Sequence, residues 1–265
     1  MERAMLANQT IDRLRTLRLF GMIEELELQN QTPKYRELSF EERLGLAVDR
    51  EVTGRQNRRY DRRIREAKLK EKAMVEDIDW RASRGLDKSS VLSLASCQWI
   101  REHQNIILTG KTGTGKSWLS CALAQRACLE GFTAYFIRIR RFFDDIANSR
   151  LDGTYHKLMA SLARYDVLVL DDWGPKLTES ERRELAEVID DRVGAQSTII
   201  TSQIPVDKWH EVIGDPSAAD SILDRLVHRA HHIKLSGPSL RGEYQAIKTK
   251  TPPSDKTKSR AGDMT

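Results

Sequence analysis

The sequence predicts an α/β fold, a parallel sheet held between helices, preceded by a small all-α unit. Three observations predict it. Residues 110–117 read Gly-Lys-Thr-Gly-Thr-Gly-Lys-Ser, a full match to G-x-x-x-x-G-K-[ST], between the apolar run Asn105-Ile106-Ile107-Leu108-Thr109 and a stretch with Leu119, Ala122, Leu123, Ala127 and Leu129 at helical spacing. A second apolar run, Val167-Leu168-Val169-Leu170, ends in the carboxylate pair Asp171-Asp172. Residues 1 to about 80 carry helical periodicity of their own.

In that first unit Ile11, Leu14, Leu17, Leu19, Met22, Ile23 and Leu26 recur at roughly helical spacing, with a break expected near Gly21 and a boundary at Pro33. Ser39-Phe40-Glu41-Glu42 is a capping box that opens the next helix. From Arg50 to Lys72 ten basic residues meet four acidic ones, and Arg55, Arg58, Arg59, Arg62 and Arg63 fall along one broad helical face, with Lys68 beyond them. The acids do not interleave as partners for most of these arginines. A polyanion would relieve their repulsion by releasing counterions, so phosphate contact indifferent to base sequence is the expectation. The rival reading of such a face is plain solvation.

Residues 74–100 lead into the core, with Trp80 and Trp99 as packing anchors. Next comes the glycine loop. Its glycines let the backbone curl so that successive N–H groups face a phosphate at the positive end of the following helix. Gly110, Lys111, Thr112, Gly113, Thr114, Gly115, Lys116, Ser117 and the adjoining Trp118 form the candidate nucleotide-binding stretch, in which Lys116 reaches the β- and γ-phosphates and the Ser117 hydroxyl ligates Mg²⁺. Thr133–Ile139 reads as the second strand. Residues 141–164 read as helix broken near Asp152-Gly153. The run ending at Asp171 is a Walker B strand: Asp171 holds the metal, and Asp172 orients or activates the attacking water. A helix over 179–193 follows. The strand Ser197–Ser202 ends in polar residues, of which Thr201 and Gln203 are placed to sense a γ-phosphate. A helix over 218–230 carries Asp224-Arg225-Leu226 and Arg229, and a short strand over 232–235 precedes Arg241 and a Lys-, Thr-, Ser- and Pro-rich tail. The expected divisions are 1–80 helical, 81–242 α/β, and 243–265 disordered and basic, with no C-terminal lid domain.

Composition removes several classes. Charged residues are 31% and aromatics 6%, and no apolar run approaches the ~20 residues of a membrane span, so no membrane partner and a cytoplasmic location are expected. Cys97, Cys121 and Cys128 are scattered without metal-ligand spacing, and no histidine pair has H-E-x-x-H spacing. No N-K-x-D string occurs, which argues against a guanine-specific switch.

Taken together, the loop, the Asp171-Asp172 pair, the Thr201-Ser202-Gln203 strand tip and Asp224-Arg225-Leu226 resemble an AAA+ ATPase of the initiator and helicase-loader clade. Longer strings are similar to the IstB-like ATPases, helper proteins of bacterial insertion sequences: 39–44 (SFEERL), 170–174 (LDDWG), 201–210 (TSQIPVDKWH) and 222–228 (ILDRLVH). The resemblance runs from about residue 10 to Arg241. It implies ATP and Mg²⁺, duplex DNA bound by the helical unit and core, a homo-oligomeric ring or spiral promoted by ATP and DNA, and a cognate transposase as partner. It also implies Arg225 as an arginine finger reaching a neighbouring subunit, with Arg229 one turn away as the other candidate, Arg241 as a second sensor, and Lys157 offered to DNA from an initiator-type helical insertion. Asp172 stands where that superfamily usually has glutamate. A carboxylate displaced by about 1 Å implies slow, assembly-coupled turnover. A helicase loader gripping single strands, a small-molecule kinase and a scaffold without hydrolysis remain the alternatives.

Overall fold

The computed structural model describes residues 2–80 and 85–239. The chain opens with α1 (Glu2–Thr16) and α2 (Phe20–Gln31). The break between them falls at Arg18, in the left-handed region with φ 57°, and not at Gly21. Gly21 lies inside α2 for a different reason: a Cβ there would sit 2.7 Å from the Glu51 Cα of the next helix. That helix, α3 (Phe40–Ala67), starts on the expected box, with Ser39 accepting from the Glu42 N–H and Glu42 accepting from the Ser39 N–H. The buried Glu51 carboxylate accepts the Gly21 N–H at 2.6 Å, filling one donor that the first turn of α2 leaves open.

At 28 residues α3 is about 42 Å long, long enough to serve two neighbours. Its first half pairs with α2. Its second half lies on the α/β core, where Arg63 donates to the Cys128 carbonyl at 2.8 Å and Tyr60 accepts from Gln125 at 2.6 Å. Ala67, Ala73, Val75 and Ile78 share one hydrophobic cluster with the sheet.

After α4 (Lys88–Ala95) and α5 (Gln98–Arg101) come β1 (Asn105–Gly110), α6 (Lys116–Leu129), β2 (Ala134–Arg138), α7 (Ile139–Leu151), α8 (Tyr155–Arg164) and β3 (Val167–Trp173). The chain continues through α9 (Glu179–Arg192), β4 (Ser197–Ser202), α10 (Trp209–Ile213), α11 (Pro216–Val227) and β5 (Ala230–Leu235). All five strands are parallel, in the order β2-β3-β4-β1-β5. Strand alternation divides the core into two layers. Ile106, Leu108, Val167, Val169 and Ile199 face α4, α5, α6 and the end of α3, whereas Ile107, Leu168, Leu170 and Ile200 face α7 to α11. Trp99 is buried as expected, its indole donating to the Leu94 carbonyl at 2.9 Å. The three cysteines are buried thiols.

Residues 139–151 and 155–164 form the interrupted helical connection that the sequence suggested between β2 and β3, turning at Gly153 with φ 74°. Among the described residues no helix is long and apolar enough to cross a membrane. Arg241 and residues 243–265 lie outside the described residues.

Candidate active site

In a parallel sheet the carboxyl ends of the strands gather at one edge, and the loops leaving them build the site. Here β1 delivers the glycine loop, β3 the two acids and β4 the polar tip. Gly110 (φ 149°), Gly113 (φ 83°) and Gly115 (φ 98°) take backbone angles that L side chains rarely adopt. Gly110 also packs against the Leu235 carbonyl and Gly113 against Ser239, so the segment leaving β5 crosses directly over the loop. Helix α6 begins at Lys116, so its open N–H groups point into the loop.

The side chains converge on Asp171, which is 2% exposed. Its Oδ1 accepts from the Ser117 hydroxyl at 2.6 Å and from the Thr201 hydroxyl at 2.7 Å. Thr201 also accepts the Asp172 N–H at 3.0 Å, pinning the two acids through one buried hydroxyl. Lys116 donates to the Gly110 and Lys111 carbonyls at 2.8 and 2.9 Å, its ammonium held inside the loop's curve. Thr114 donates to the Lys111 carbonyl at 2.9 Å and fixes the loop's shape.

Asp172 occupies a β-bulge between Leu170 and Trp173, with φ 65°. A non-glycine residue there carries strain of about 1–3 kcal/mol, a feature concentrated at functional sites. The bulge turns the Asp172 side chain to the surface, where its Oδ1 accepts from Gln203 at 3.2 Å. Gln203 in turn accepts from the Thr112 hydroxyl at 2.5 Å. Loop, acid and strand tip are therefore one connected network. Ser202 does not join it: its hydroxyl donates to the Trp173 carbonyl beneath. Trp118 is half-buried against the α4–α6 side of the core.

Hard oxygen donors from a hydroxyl and a carboxylate, adjacent at the end of a phosphate cradle, are the ligand set Mg²⁺ prefers. Ser117 and Asp171 fit that ion, and Lys116 with the loop N–H groups fits the phosphates beside it.

Arg225 sits at the other end of the sheet. Its carbonyl accepts from the Asn105 side chain at 3.2 Å, and Asn105 is the first residue of the strand whose last residue opens the loop. Five strand steps put the two about 17 Å apart. Arg225 is bound in an ion pair to Asp190 and hydrogen-bonded to Ser221. Arg229 is exposed and has no ion pair among the described residues.

The basic face of α3 differs from the expectation of uncompensated charge. Arg55 and Arg58 share the Glu51 carboxylate, at 2.6 and 3.5 Å, and Arg62 approaches Glu66 at 3.8 Å. Arg63 is spent on the core, and Lys68 lies against Tyr135. Arg59 remains exposed without a partner among the described residues, and Lys157 is exposed on α8. Among the described residues no histidine, cysteine and acid cluster could hold a further metal.

A glycine loop into a helix, an acid-tipped central strand, a polar fourth strand and this strand order define a P-loop domain of the AAA+ type. Solved structures agree with that fold. DnaI matches over 62% of this chain and 92% of its own, with a TM-score of 0.54 at 18% identity. The replication initiator DnaA bound to AMPPCP and single-stranded DNA matches over 69% of this chain and 56% of its own, with a TM-score of 0.51 at 15% identity. Within that class the chain belongs to the IstB-like ATP binding protein family, whose model matches residues 12–247. A putative insertion sequence ATP-binding protein of Sinorhizobium fredii is 45% identical over 89% of this chain and 97% of its own length. The IS1162 putative ATP-binding protein of Pseudomonas fluorescens is 45% identical over 76% of this chain and 88% of its own.

Proposed function

We propose that this chain is an ATP-dependent DNA-binding helper of an insertion sequence: with Mg²⁺ it binds and slowly hydrolyses ATP, oligomerises on duplex DNA in the bacterial cytoplasm, and recruits and stimulates its transposase. The observation that carries the reading is the separation of Arg225 from its own phosphate loop by the length of β1. A cation that far away cannot stabilise charge on its own subunit's nucleotide, but being partly exposed it could do so for a head-to-tail neighbour. Lys116 and the loop bind the phosphates, Ser117 and Asp171 hold the metal, and Asp172 orients water. Thr201 and Gln203 tie that acid to the loop, and Arg225 completes the site in trans. Mg²⁺ would neutralise the phosphate oxygens as charge develops. Arg241, two residues beyond Ser239, is proposed as a second sensor.

Duplex contact is assigned to phosphates, through Arg59, through the ends of Arg55, Arg58 and Arg62 that Glu51 and Glu66 do not occupy, and through Lys157 on α8. The insertion-sequence relatives support the transposition role. Electron microscopy and mobility shifts on linear duplex test the reading, with a slowly hydrolysed ATP analogue and without nucleotide. The parent should coat duplex only with the analogue, and Lys116→Ala should fail to coat it. Equal coating by Lys116→Ala without nucleotide would overturn the proposal, and preference for single strands would favour a helicase-loader role.

A further inference from the structure

We infer that Asp190 and Ser221 form a bracket that presents the Arg225 guanidinium to a second copy of this chain, making Asp190 a positioning residue for hydrolysis at the subunit interface. The inference rests on the trans role of Arg225 and goes beyond it by naming what holds that group ready.

The backbone is fixed first. Asn105, at the start of β1, donates its amide to the carbonyls of Arg225 and Leu226 at 3.2 and 3.1 Å and accepts the Thr198 N–H at 2.9 Å. The last turn of α11 is thereby tied to two strands. These bonds satisfy carbonyls that a helix end leaves open.

The side chain is fixed next. The Arg225 Nε pairs with the Asp190 carboxylate of α9, and Nη1 donates to both the carbonyl and the hydroxyl of Ser221, one turn back on α11. Nη1 is thus hydrogen-bonded within the subunit, and Nε is held in an ion pair. The N–H groups of Nη2 make no hydrogen bond among the described residues, which leaves them open to an acceptor from a second copy. Arg225 is 33% exposed at its side chain, so the group is reachable.

An unrestrained arginine would lose rotamer freedom on being ordered by a partner. Bracketing places that loss in the folded subunit, before assembly. Arg229, exposed and without such a hold, is the contrast that singles out Arg225. A cleft of about 370 Å³ lies alongside, lined by His103, Arg192, Asp224, Arg225 and Arg229 among others, and leaves room for a neighbour's loop to approach.

The test uses the full chain on saturating linear duplex, following phosphate release against ATP concentration and scoring coating by electron microscopy. Asp190→Asn should lower kcat about tenfold, as loss of an orienting outer partner does, with KM for ATP and coating unchanged. Asp190→Glu should recover part of the loss. An Asp190→Asn protein that turns over within twofold of the parent, or faster, while Arg225→Ala is dead, overturns the bracket alone. Loss of coating by Asp190→Asn overturns it too, by making Asp190 structural. Undiminished hydrolysis by Arg225→Ala would remove the trans reading itself, and the bracket with it.

Discussion

Replacing Thr201 with valine keeps the buried shape and deletes a single oxygen. That oxygen donates to Asp171 at 2.7 Å and accepts from the Asp172 N–H at 3.0 Å, so both acids lose a partner at once. A hydrogen bond to a charged group is worth about 1.5–3 kcal/mol, and an unpaired backbone N–H adds about 1 kcal/mol or more where water does not reach it. Asp171 keeps the Ser117 hydroxyl, which limits the loss, and the expected total is about 2–4 kcal/mol. For a domain of this size that lowers Tm by roughly 5–15 °C. The larger effect is on rate. Asp172 sits at φ 65° on a bulge, and without the Thr201 anchor its backbone relaxes and the carboxylate drifts. Phosphate release should fall about 10–100-fold, with binding of a fluorescent ATP analogue nearly unchanged, because the loop and Lys116 are untouched. Thr201→Ser should restore most of both properties. If Thr201→Val melts and turns over like the parent, the hydroxyl is a bystander and the pinning argument fails.

Three further outcomes are expected. Gly21→Ala should destabilise the α2–α3 pair by about 1–3 kcal/mol, since its Cβ would press on the Glu51 backbone; unchanged amide exchange in α2 would refute this. Burial pushes the Cys97 and Cys128 thiols up to about 11, so neither should alkylate in the native protein at pH 8, and labelling should appear only with denaturant. The same shift fixes a sign. Between pH 9, where the unfolded thiols ionise, and pH 11 the folded state keeps protons that the unfolded state releases, so denaturant midpoints should fall as pH rises through that window. Replacing both cysteines with alanine should flatten that slope.

The sheet and the phosphate cradle were legible because their signals are local. A glycine pattern, an apolar run ending in acids and a capping box each complete themselves within a few residues, and Ser39, Lys116 and Asp171 sit where those patterns put them. What stayed hidden depends on distance along the chain. Asp190 and Arg225 are 35 positions apart and meet only when α9 packs on α11, and nothing in either segment marks the pair. Gly21 reads as a helix breaker in one dimension, and as a spacer once Glu51, 30 residues on, is seen beneath it. Arg63 belongs by sequence to a charged face, yet its end is tied to Cys128, 65 residues away. The bulge at Asp172 has no composition signature, and it exchanges the usual strand alternation for an outward-facing acid.

That the phosphate loop and Arg225 lie at opposite ends of β1 has an arithmetic consequence. On the proposal above, an open row of molecules always holds one fewer completed junction than it holds members. The terminal member at one end keeps its triphosphate intact for want of a successor, while every interior member can discharge. Shortening would then begin behind that end and give the row a direction, and a closed ring, lacking any terminus, would have no such reserve.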